Sequence, residues 1–305
     1  MSIVVAILSI PWMAIPGKNG TIQGRPDKGA ASPTRRTPAI RTNFHSHTAR
    51  CQHAIGQDEE YVLAALDAGF SQMGFSDHSP WPYGDDYVSG IRMPLSQFQD
   101  YLDSARALRE RYQDRISLYI GLEAEYYPRY HSWLKEQAQA QRLDFLILGS
   151  HFDNPEEADY FGSITSPEGL ARYAAHTIKG MQTGLFCALA HPDLFMMNYP
   201  RFDSACAAIS RDLCRAAKAL GIPLEYNLSG LYPQAWRRGM GYPANGFWDI
   251  AAEEGVSAII GLDAHSPARY ADTHLYDQAR QKLSGMGILL VDSLVPCPGI
   301  KRLAV

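Results

Sequence analysis

One unit recurs along the sequence: a short apolar or β-branched run, polar residues at its end, and a stretch with helical spacing of apolar side chains. Runs of this length that alternate with helical stretches predict βα units and a parallel sheet. Seven or eight such units in one chain favour a closed barrel over a doubly wound sheet. The predicted strands span residues 40–44, 70–76, 116–122, 143–148, 185–190, 222–228 and 256–262, with residues 287–291 as a candidate for one more.

The stretches between these runs place apolar side chains at three- and four-residue intervals, which predicts helices. A long segment, residues 79–94, separates the second strand from its helix and is predicted to be a lid or rim loop. No Gly-rich phosphate-binding loop is present, which removes the usual signature of a nucleotide-binding open sheet. The predicted helices span residues 58–68, 96–112, 130–141, 167–182, 202–220, 247–254 and 271–283.

Length and composition agree with a single enzyme-sized domain. A chain of 305 residues suits one α/β barrel, with two average domains as the alternative. The net charge of −4, with no basic run beyond Arg35-Arg36, disfavours nucleic acid as the partner. Five cysteines without a Cys-x-x-Cys pair are typical of free thiols in a reducing compartment, so we expect a cytoplasmic protein.

The N-terminal stretch does not fit the repeating unit. Residues 3–10 are apolar but too short to span a bilayer, and residues 18–41 are rich in Gly, Pro, Ser, Thr and Arg. We expect residues 1–41 to be a disordered extension or a start assigned too early, with a degenerate export signal as the alternative. Residues 42–305 are then the barrel domain. No segment predicts a membrane partner, and nothing in the pattern indicates an oligomeric state.

The first predicted strand ends in His45 and His47. At i, i+2 spacing both imidazoles lie on one face of an extended chain, so they can converge on a single ion. His53 follows in the next loop. Cys51 lies between them, but the neighbouring donors are nitrogen and oxygen, so we favour a bystander thiol over a ligand.

Six of the seven predicted strands end in side chains of the metal-binding type. The carboxyl ends of barrel strands ring one face, so these side chains should converge. A lone histidine of this kind is more often structural, but one or two per strand end favour cation binding, because uncompensated polar groups are costly to bury. One Zn²⁺ needs four ligands, so the set is large enough for two or three ions. The candidates are His45, His47, His53, His78, Glu123, His151, His191, Asp263 and His265.

These residues resemble the motifs of the polymerase and histidinol phosphatase (PHP) family: His-x-His, Asp-His, Gly-x-Glu, His, His and Asp-x-His. The resemblance covers about residues 42–293. Residues 121–126, 147–152 and 190–193, and Arg92-Met93-Pro94-Leu95 in the long loop, are similar to the monofunctional histidinol-phosphate phosphatase branch. The resemblance implies an α/β fold, a distorted (β/α)₇ TIM-like barrel with its metal site at the carboxyl ends of the strands.

The same resemblance implies positions for two to three divalent ions, Zn, Mn or Fe. One position uses His45, His47, Glu123 and Asp263; the second uses Glu123 as a bridge with His151 and His191; the third uses His53, His78 and His265. Glu125 shares the strand face of Glu123, and the family's Gly-x-Glu motif favours Glu123. Asp77 and Asp193 adjoin ligand histidines and are predicted to orient imidazoles, with ordinary turn aspartates as the alternative.

Arginine is the expected partner of a phosphate group, because its fork of N–H donors matches phosphate oxygens. In the resembling branch an arginine follows the Ser-Gly that ends the sixth strand. Here residues 231–236 intervene before Arg237-Arg238. We expect one of this pair to bind substrate phosphate, with Arg201 as the second candidate and surface arginines as the alternative.

The resemblance implies a metal-dependent phosphomonoesterase that acts on a small molecule, histidinol phosphate of histidine biosynthesis first. One alternative is a phosphoesterase of the same family acting on another monoester, a phosphodiester or nucleic acid, which the slightly acidic charge disfavours. The other is a non-catalytic metal-binding protein, disfavoured because all nine ligand positions are filled. The identity of the metal stays open, since such sites suit zinc, iron or manganese.

Overall fold

Seven parallel strands form the centre of the protein. The computed structural model describes residues 40–84, 87–155, 159–232, 239–297 and 300. The strands follow one another in chain order around the sheet. They are β1 (Arg41–Asn43), β2 (Phe70–Phe75), β3 (Ser117–Ala124), β4 (Phe145–Leu148), β5 (Ala188–Leu189), β6 (Leu224–Asn227) and β7 (Ala258–Gly261).

An α-helix follows each strand before the next begins. The helices are α1 (Asp58–Asp67), α2 (Phe98–Tyr112), α3 (His131–Ala140), α4 (Pro167–Gln182), α5 (Ser204–Leu220), α6 (Asn245–Glu254) and α7 (Thr273–Gly285). Among the described residues, no helix is long and apolar enough to cross a bilayer. The predicted N-terminal extension, apart from its last two residues, lies outside the described residues.

The first and last strands join through the segments that follow them. Ser46 forms a parallel bridge with Ala264. The His47 N–H donates to the Ala264 carbonyl at 3.0 Å, and the Ala264 N–H donates to the His45 carbonyl at 3.0 Å. These bonds close the sheet, which confirms the predicted (β/α)₇ barrel. Residues 287–291 contribute only a bridge from Leu290 to Ala258.

Local sequence signals explain where the helices begin and end. The Asp203 side chain accepts hydrogen bonds from the N–H groups of Ala205 and Cys206 and caps α5. Gly221 ends the same helix with φ 68°, a left-handed conformation that favours glycine. Between the caps, residues such as Leu213 are buried at helical spacing. The caps and the buried apolar face of α5 therefore agree with the helix that the spacing of apolar residues predicts.

A phenylalanine fills the barrel beneath the functional end. Phe145 of β4 is fully buried, and its ring lies edge-on to Phe44, with 5.3 Å between centroids. Gly74 of β2 and Gly121 of β3 leave room for this ring, because a Cβ atom at either position would collide with it. Since β1 and β2 are not neighbours of β4 in the sheet, the ring must cross the barrel interior.

Replacing Phe145 with Ala should destabilise the barrel by about 3–5 kcal/mol, because a large cavity would remain between strands that cannot collapse. The free energy of unfolding from urea denaturation measures this. Leu289→Ala is the matched control, since that side chain is 70% exposed and should change stability by no more than about 0.5 kcal/mol. Equal stability of the two variants would show that Phe145 is not a core residue.

Candidate metal centre

All nine predicted ligands lie at the carboxyl ends of the strands or in the loops that follow them. This is the end of a barrel at which active sites form. A cavity of about 540 Å³ opens there. It is lined by His53, His78, Ile91, Glu123, His151, Phe152, Tyr160, His191, Leu194, Met197, Ser229, Tyr242, Asp263, His265 and Arg269.

Glu123, at the end of β3, occupies the centre of the cluster. Its Oε2 atom lies 3.3 Å from His45 Nε2 and 3.1 Å from His78 Nδ1. Its Oε1 atom lies 3.0 Å from His191 Nε2 and 3.4 Å from His151 Nε2. One carboxylate therefore faces two separate groups of imidazoles, as a bridging ligand must.

Asp263 completes the first group. Its Oδ1 atom lies 3.1 Å from His47 Nε2 and 3.5 Å from His45 Nε2. The two Nε2 atoms of His45 and His47 are 3.1 Å apart. Together with Glu123 Oε2, these atoms surround one point with two nitrogen and two oxygen donors. That donor set suits a tetrahedral divalent cation.

Facing Nε2 atoms also mark the other two groups. His151 and His191 place their Nε2 atoms 3.2 Å apart, and His53 and His265 place theirs 2.9 Å apart. Nitrogen ligands of one tetrahedral Zn²⁺ are separated by about 3.3 Å, given bonds of about 2.0–2.1 Å. Each pair therefore has nearly the spacing that one bound ion requires.

The tautomers of the third pair can be inferred from their other nitrogens. His53 Nδ1 donates to the Cys51 carbonyl at 2.8 Å, and His265 Nδ1 donates to the Asp263 carbonyl at 3.1 Å. Because a carbonyl only accepts, each neutral ring carries its lone pair on Nε2. Two lone pairs then face each other, an arrangement that a cation between them would stabilise.

His78 lies between the groups rather than within one. Its Nδ1 atom faces Glu123, while its ring centroid is 4.3 Å from that of His47 and 5.4 Å from that of His53. His78 and His265 also lie within reach of a common ion with His47. His78 is therefore available to an ion held by the His53–His265 pair, although it also contacts the bridging carboxylate.

Burial and neighbouring charges shift the pKa values of these imidazoles in opposite directions. Burial opposes charge on His45, but the carboxylates of Glu225, Glu123 and Asp263 outweigh it and raise its pKa well above the ordinary value. Burial and the nearby His47 lower the pKa of His265 to about 3 and that of His78 well below its usual range. Both shifts favour the neutral ring, whose lone pair can bind a cation.

The backbone adopts left-handed conformations at two of these residues. His191 has φ 27° and Asp263 has φ 48°. Such angles are uncommon outside glycine and cost free energy that the surroundings must supply. Gly149 has a related role, because a Cβ atom there would collide with the Glu123 carboxylate. The donor atoms thus reach their positions because His191 and Asp263 adopt an uncommon backbone conformation and because Gly149 has no side chain.

Glu125 lies behind the cluster, two residues beyond Glu123 on β3 and its end. Its Oε1 atom accepts from His151 Nδ1 at 3.0 Å, and both carboxylate oxygens accept from the buried Arg92 at 3.0 Å. Trp81 Nε1 donates to Oε2 at 3.2 Å. Glu125 thus orients a ring, whereas Glu123 faces the cavity.

The two predicted supporting aspartates differ in what they hold. Asp77 accepts from the His78 N–H at 2.8 Å and from Thr48, and its Oδ1 lies 3.5 Å from His47 Nδ1. Asp193 accepts instead from the Ala244 N–H at 2.6 Å. Asp77 therefore supports the histidine loops, and Asp193 ties the loop after β5 to the start of α6.

Glu225 of β6 was missed by the sequence analysis. It is buried, and its Oε1 accepts from His45 Nδ1 at 2.8 Å. Its Oε2 accepts from the His191 N–H at 3.1 Å and from Asn227 Nδ2 at 2.8 Å. The Asn227 amide also donates to Asp263 Oδ2 at 3.2 Å. The strand that supplies no candidate ligand therefore supports residues on three others.

The remaining candidates lie at or beyond the edge of the centre. Burial raises the pKa of the Cys51 thiol to about 12, so it stays protonated beside His53. Arg237 and Arg238 lie outside the described residues. Arg201 is exposed just before α5 and is not among the residues that line the cavity. Arg269, which the sequence analysis missed, does line it.

Comparison with known proteins agrees with this architecture. The PHP domain model matches residues 43–229. The chain belongs to the PHP domain family. A "probable histidinol-phosphatase" of Deinococcus radiodurans is 33% identical over 75% of this chain and 89% of that protein. Another, of Schizosaccharomyces pombe, is 26% identical over 73% of this chain and 80% of that protein.

A solved structure shares the fold of this PHP protein. It is histidinol phosphate phosphatase of Lactococcus lactis, determined in complex with zinc, L-histidinol and phosphate. It is 19% identical, covers 82% of this chain and 95% of its own, and superposes with a TM-score of 0.64. At this identity the likeness concerns the fold, which confirms the barrel.

Replacing Glu225 with Gln should weaken metal binding roughly 10- to 100-fold, because the negative charge that Glu225 places beside the His45 ring makes that ring a stronger metal ligand. Chelator competition measures the dissociation constant, and circular dichroism checks the fold. Glu136→Gln, at an exposed position of α3, is the matched control. Metal affinity equal to that of the unchanged protein would restrict Glu225 to a packing role.

Proposed function

We propose that this PHP protein is a metal-dependent phosphomonoesterase whose substrate is histidinol phosphate. The observation that carries the proposal is the bridging Glu123 carboxylate between groups of facing imidazole nitrogens, within a cavity of about 540 Å³. The relatives at 33% and 26% identity that bear the name histidinol-phosphatase support the choice of substrate. The reaction would supply L-histidinol to histidine biosynthesis.

The donor set fits divalent ions. Glu123 Oε2 and His78 Nδ1, which face each other in the cluster, are buried and neither forms a hydrogen bond of good geometry; unpaired buried polar atoms are costly. His45, His47 and Asp263 would hold one ion with Glu123; His151 and His191 would hold a second with it; His53, His265 and His78 would hold a third. Bound divalent ions supply Lewis acidity that acidifies water and offsets negative charge on phosphoryl oxygens.

The protein's own groups set the geometry for this chemistry. Glu225 and Glu125 hold the rings of His45 and His151 by their Nδ1 atoms, which leaves each Nε2 directed at the centre. Glu123 keeps two groups at a fixed separation because it is buried and contacts both. A phosphate monoester carries up to two negative charges, so it complements a cationic centre better than a diester does.

One wall of the cavity suits the organic part of such a substrate. It combines aromatic rings with apolar side chains, and Tyr160 packs against a cluster formed by Leu194, Met197 and Tyr242. Phe152 lies beside Tyr160, with 5.4 Å between ring centroids. A small alcohol with a planar ring can stack there, and the wall limits the access of bulk water to the reacting phosphate.

The second candidate function is hydrolysis of a phosphodiester by the same centre. The third is metal binding without catalysis. The net charge of −4 disfavours a polyanionic nucleic acid. The cavity favours a compact substrate, because it is of the size that encloses a small molecule.

A substrate panel on metal-loaded protein tests the proposal. Histidinol phosphate should give the highest kcat/KM, other small monoesters lower values, and bis(nitrophenyl) phosphate negligible turnover. Removal of metal by a chelator should abolish all turnover, and added metal should restore it. Preference for the diester would establish the second candidate function. Absence of metal-dependent turnover on every compound would leave only metal binding.

His53→Ala tests the number of ions. The change removes one of two facing donors, so metal content should fall from about three ions per chain to about two, with the bridged pair retained. Turnover should fall sharply, while circular dichroism stays native. Elemental analysis of dialysed protein measures the content.

Two further variants control this measurement. His274→Ala removes an exposed histidine of α7 and should leave metal content and turnover unchanged. Glu123→Ala should disturb two positions together, because its carboxylate faces both groups. Full metal content in His53→Ala would make His53 a loop histidine and the centre at most binuclear.

A further inference from the structure

Arg269 is the cationic side chain among the described residues that line the cavity. It lies in a short 3₁₀ helix, Pro267–Ala271, four residues after the candidate ligand His265. Its position follows β7, so it shares a rim segment with Asp263 and His265. The histidines of the centre contact carboxylates, but Arg269 forms no ion pair with a carboxylate in the part of the chain that the structure describes. Its charge is therefore available to a ligand.

Tyr232 holds the Arg269 side chain in place. The guanidinium carbon lies 3.5 Å from the centroid of the Tyr232 ring, a close stacking contact. The Tyr232 hydroxyl donates in turn to Asp272. A guanidinium that stacks on an aromatic face keeps the N–H groups at its edge free for hydrogen bonds. The stack therefore fixes the plane of the Arg269 guanidinium.

We propose that Arg269 binds the phosphate group of the substrate from the β7 side of the centre, with Tyr232 as its positioning residue. The proposal rests on the proposed function, because it names a contact within that site. Arginine suits this task, since its planar fork of donors matches the oxygens of a phosphate group. Phe152 and Tyr160, the rings of the aromatic wall that stack on each other, follow β4, which lies three strands from β7 in the barrel. Phosphate and leaving alcohol thus have separate sides of the cavity.

Binding of inorganic phosphate to metal-loaded protein tests the contact by calorimetry. Arg269→Ala should raise the dissociation constant of phosphate roughly 10- to 100-fold, because a charge-assisted pair of hydrogen bonds is lost. Arg269→Lys should fall between, since it keeps the charge but loses the fork. Arg269 is partly exposed, so neither change leaves a buried charge, and metal content should stay the same.

Matched variants separate this role from a structural one. Arg115 also stacks on a tyrosine, Tyr112, but lies before β3 at the opposite end of the barrel, so Arg115→Ala should leave phosphate affinity unchanged. Tyr232→Leu should raise the KM for histidinol phosphate more than it lowers kcat. Tyr232→Phe, which keeps the ring, should retain most of the affinity for phosphate. An unchanged phosphate dissociation constant in Arg269→Ala would overturn the proposal.

The outcome also separates this proposal from the proposed function. If the unchanged protein bound phosphate but hydrolysed no monoester, the function would fail while the Arg269 contact could still be measured. If it hydrolysed histidinol phosphate, and only Arg237→Ala combined with Arg238→Ala lost phosphate affinity, the Arg269 proposal would fail alone.

Discussion

The structure depends on one buried carboxylate. Glu123 is 1% exposed and lies among imidazoles that follow β1, β2, β4 and β5. The neighbouring His151 and His45 hold its pKa well below the usual range against the cost of burial. A lone charge in this place would destabilise the fold by several kcal/mol. The barrel tolerates it because every strand end that surrounds it contributes a polar group. Closure of the sheet and the site share the same hydrogen bonds: those that join His45 and His47 to Ala264 close the sheet and also position the first ligand pair.

Support for the centre comes from residues that cannot be ligands. Glu225 and Glu125 each accept from an imidazole Nδ1, so the opposite nitrogen is left as a donor of its lone pair. The same carboxylates are satisfied from behind, by Asn227 in one case and by Arg92 in the other. Such partners fix ring orientation and raise the basicity of the ligand. The protein's own hydrogen bonds thus hold the donors of the centre, and they offset the strain in the backbone of His191 and Asp263.

Much of this could be predicted from sequence because strand ends are marked twice, by the end of an apolar run and by a polar side chain. The closed barrel of seven or eight strands and the convergence of nine polar side chains followed from these two signals, and the resemblance to the PHP family implied the number seven. The sequence analysis missed Glu225 because this residue lies inside β6, within an apolar run. Only the folded structure shows that it faces His45. The pairing of Arg92 with Glu125 could not be predicted, because the long loop that contains Arg92 has no periodicity and 33 residues separate the two. Arg269 lacked any signal beyond its place after His265.

The pairing of Arg92 with Glu125 links substrate access to the metal centre. Arg92 belongs to the loop of residues 79–94 yet is 1% exposed, and its guanidinium bonds both oxygens of Glu125 and the Ser79 carbonyl. Glu125 orients His151, which faces Glu123. Ile91, the residue before Arg92, lines the cavity. A shift of this part of the loop would therefore have to move Arg92 as well. Breaking a buried ion pair costs about 3–5 kcal/mol, so the Arg92 end of the loop stays fixed.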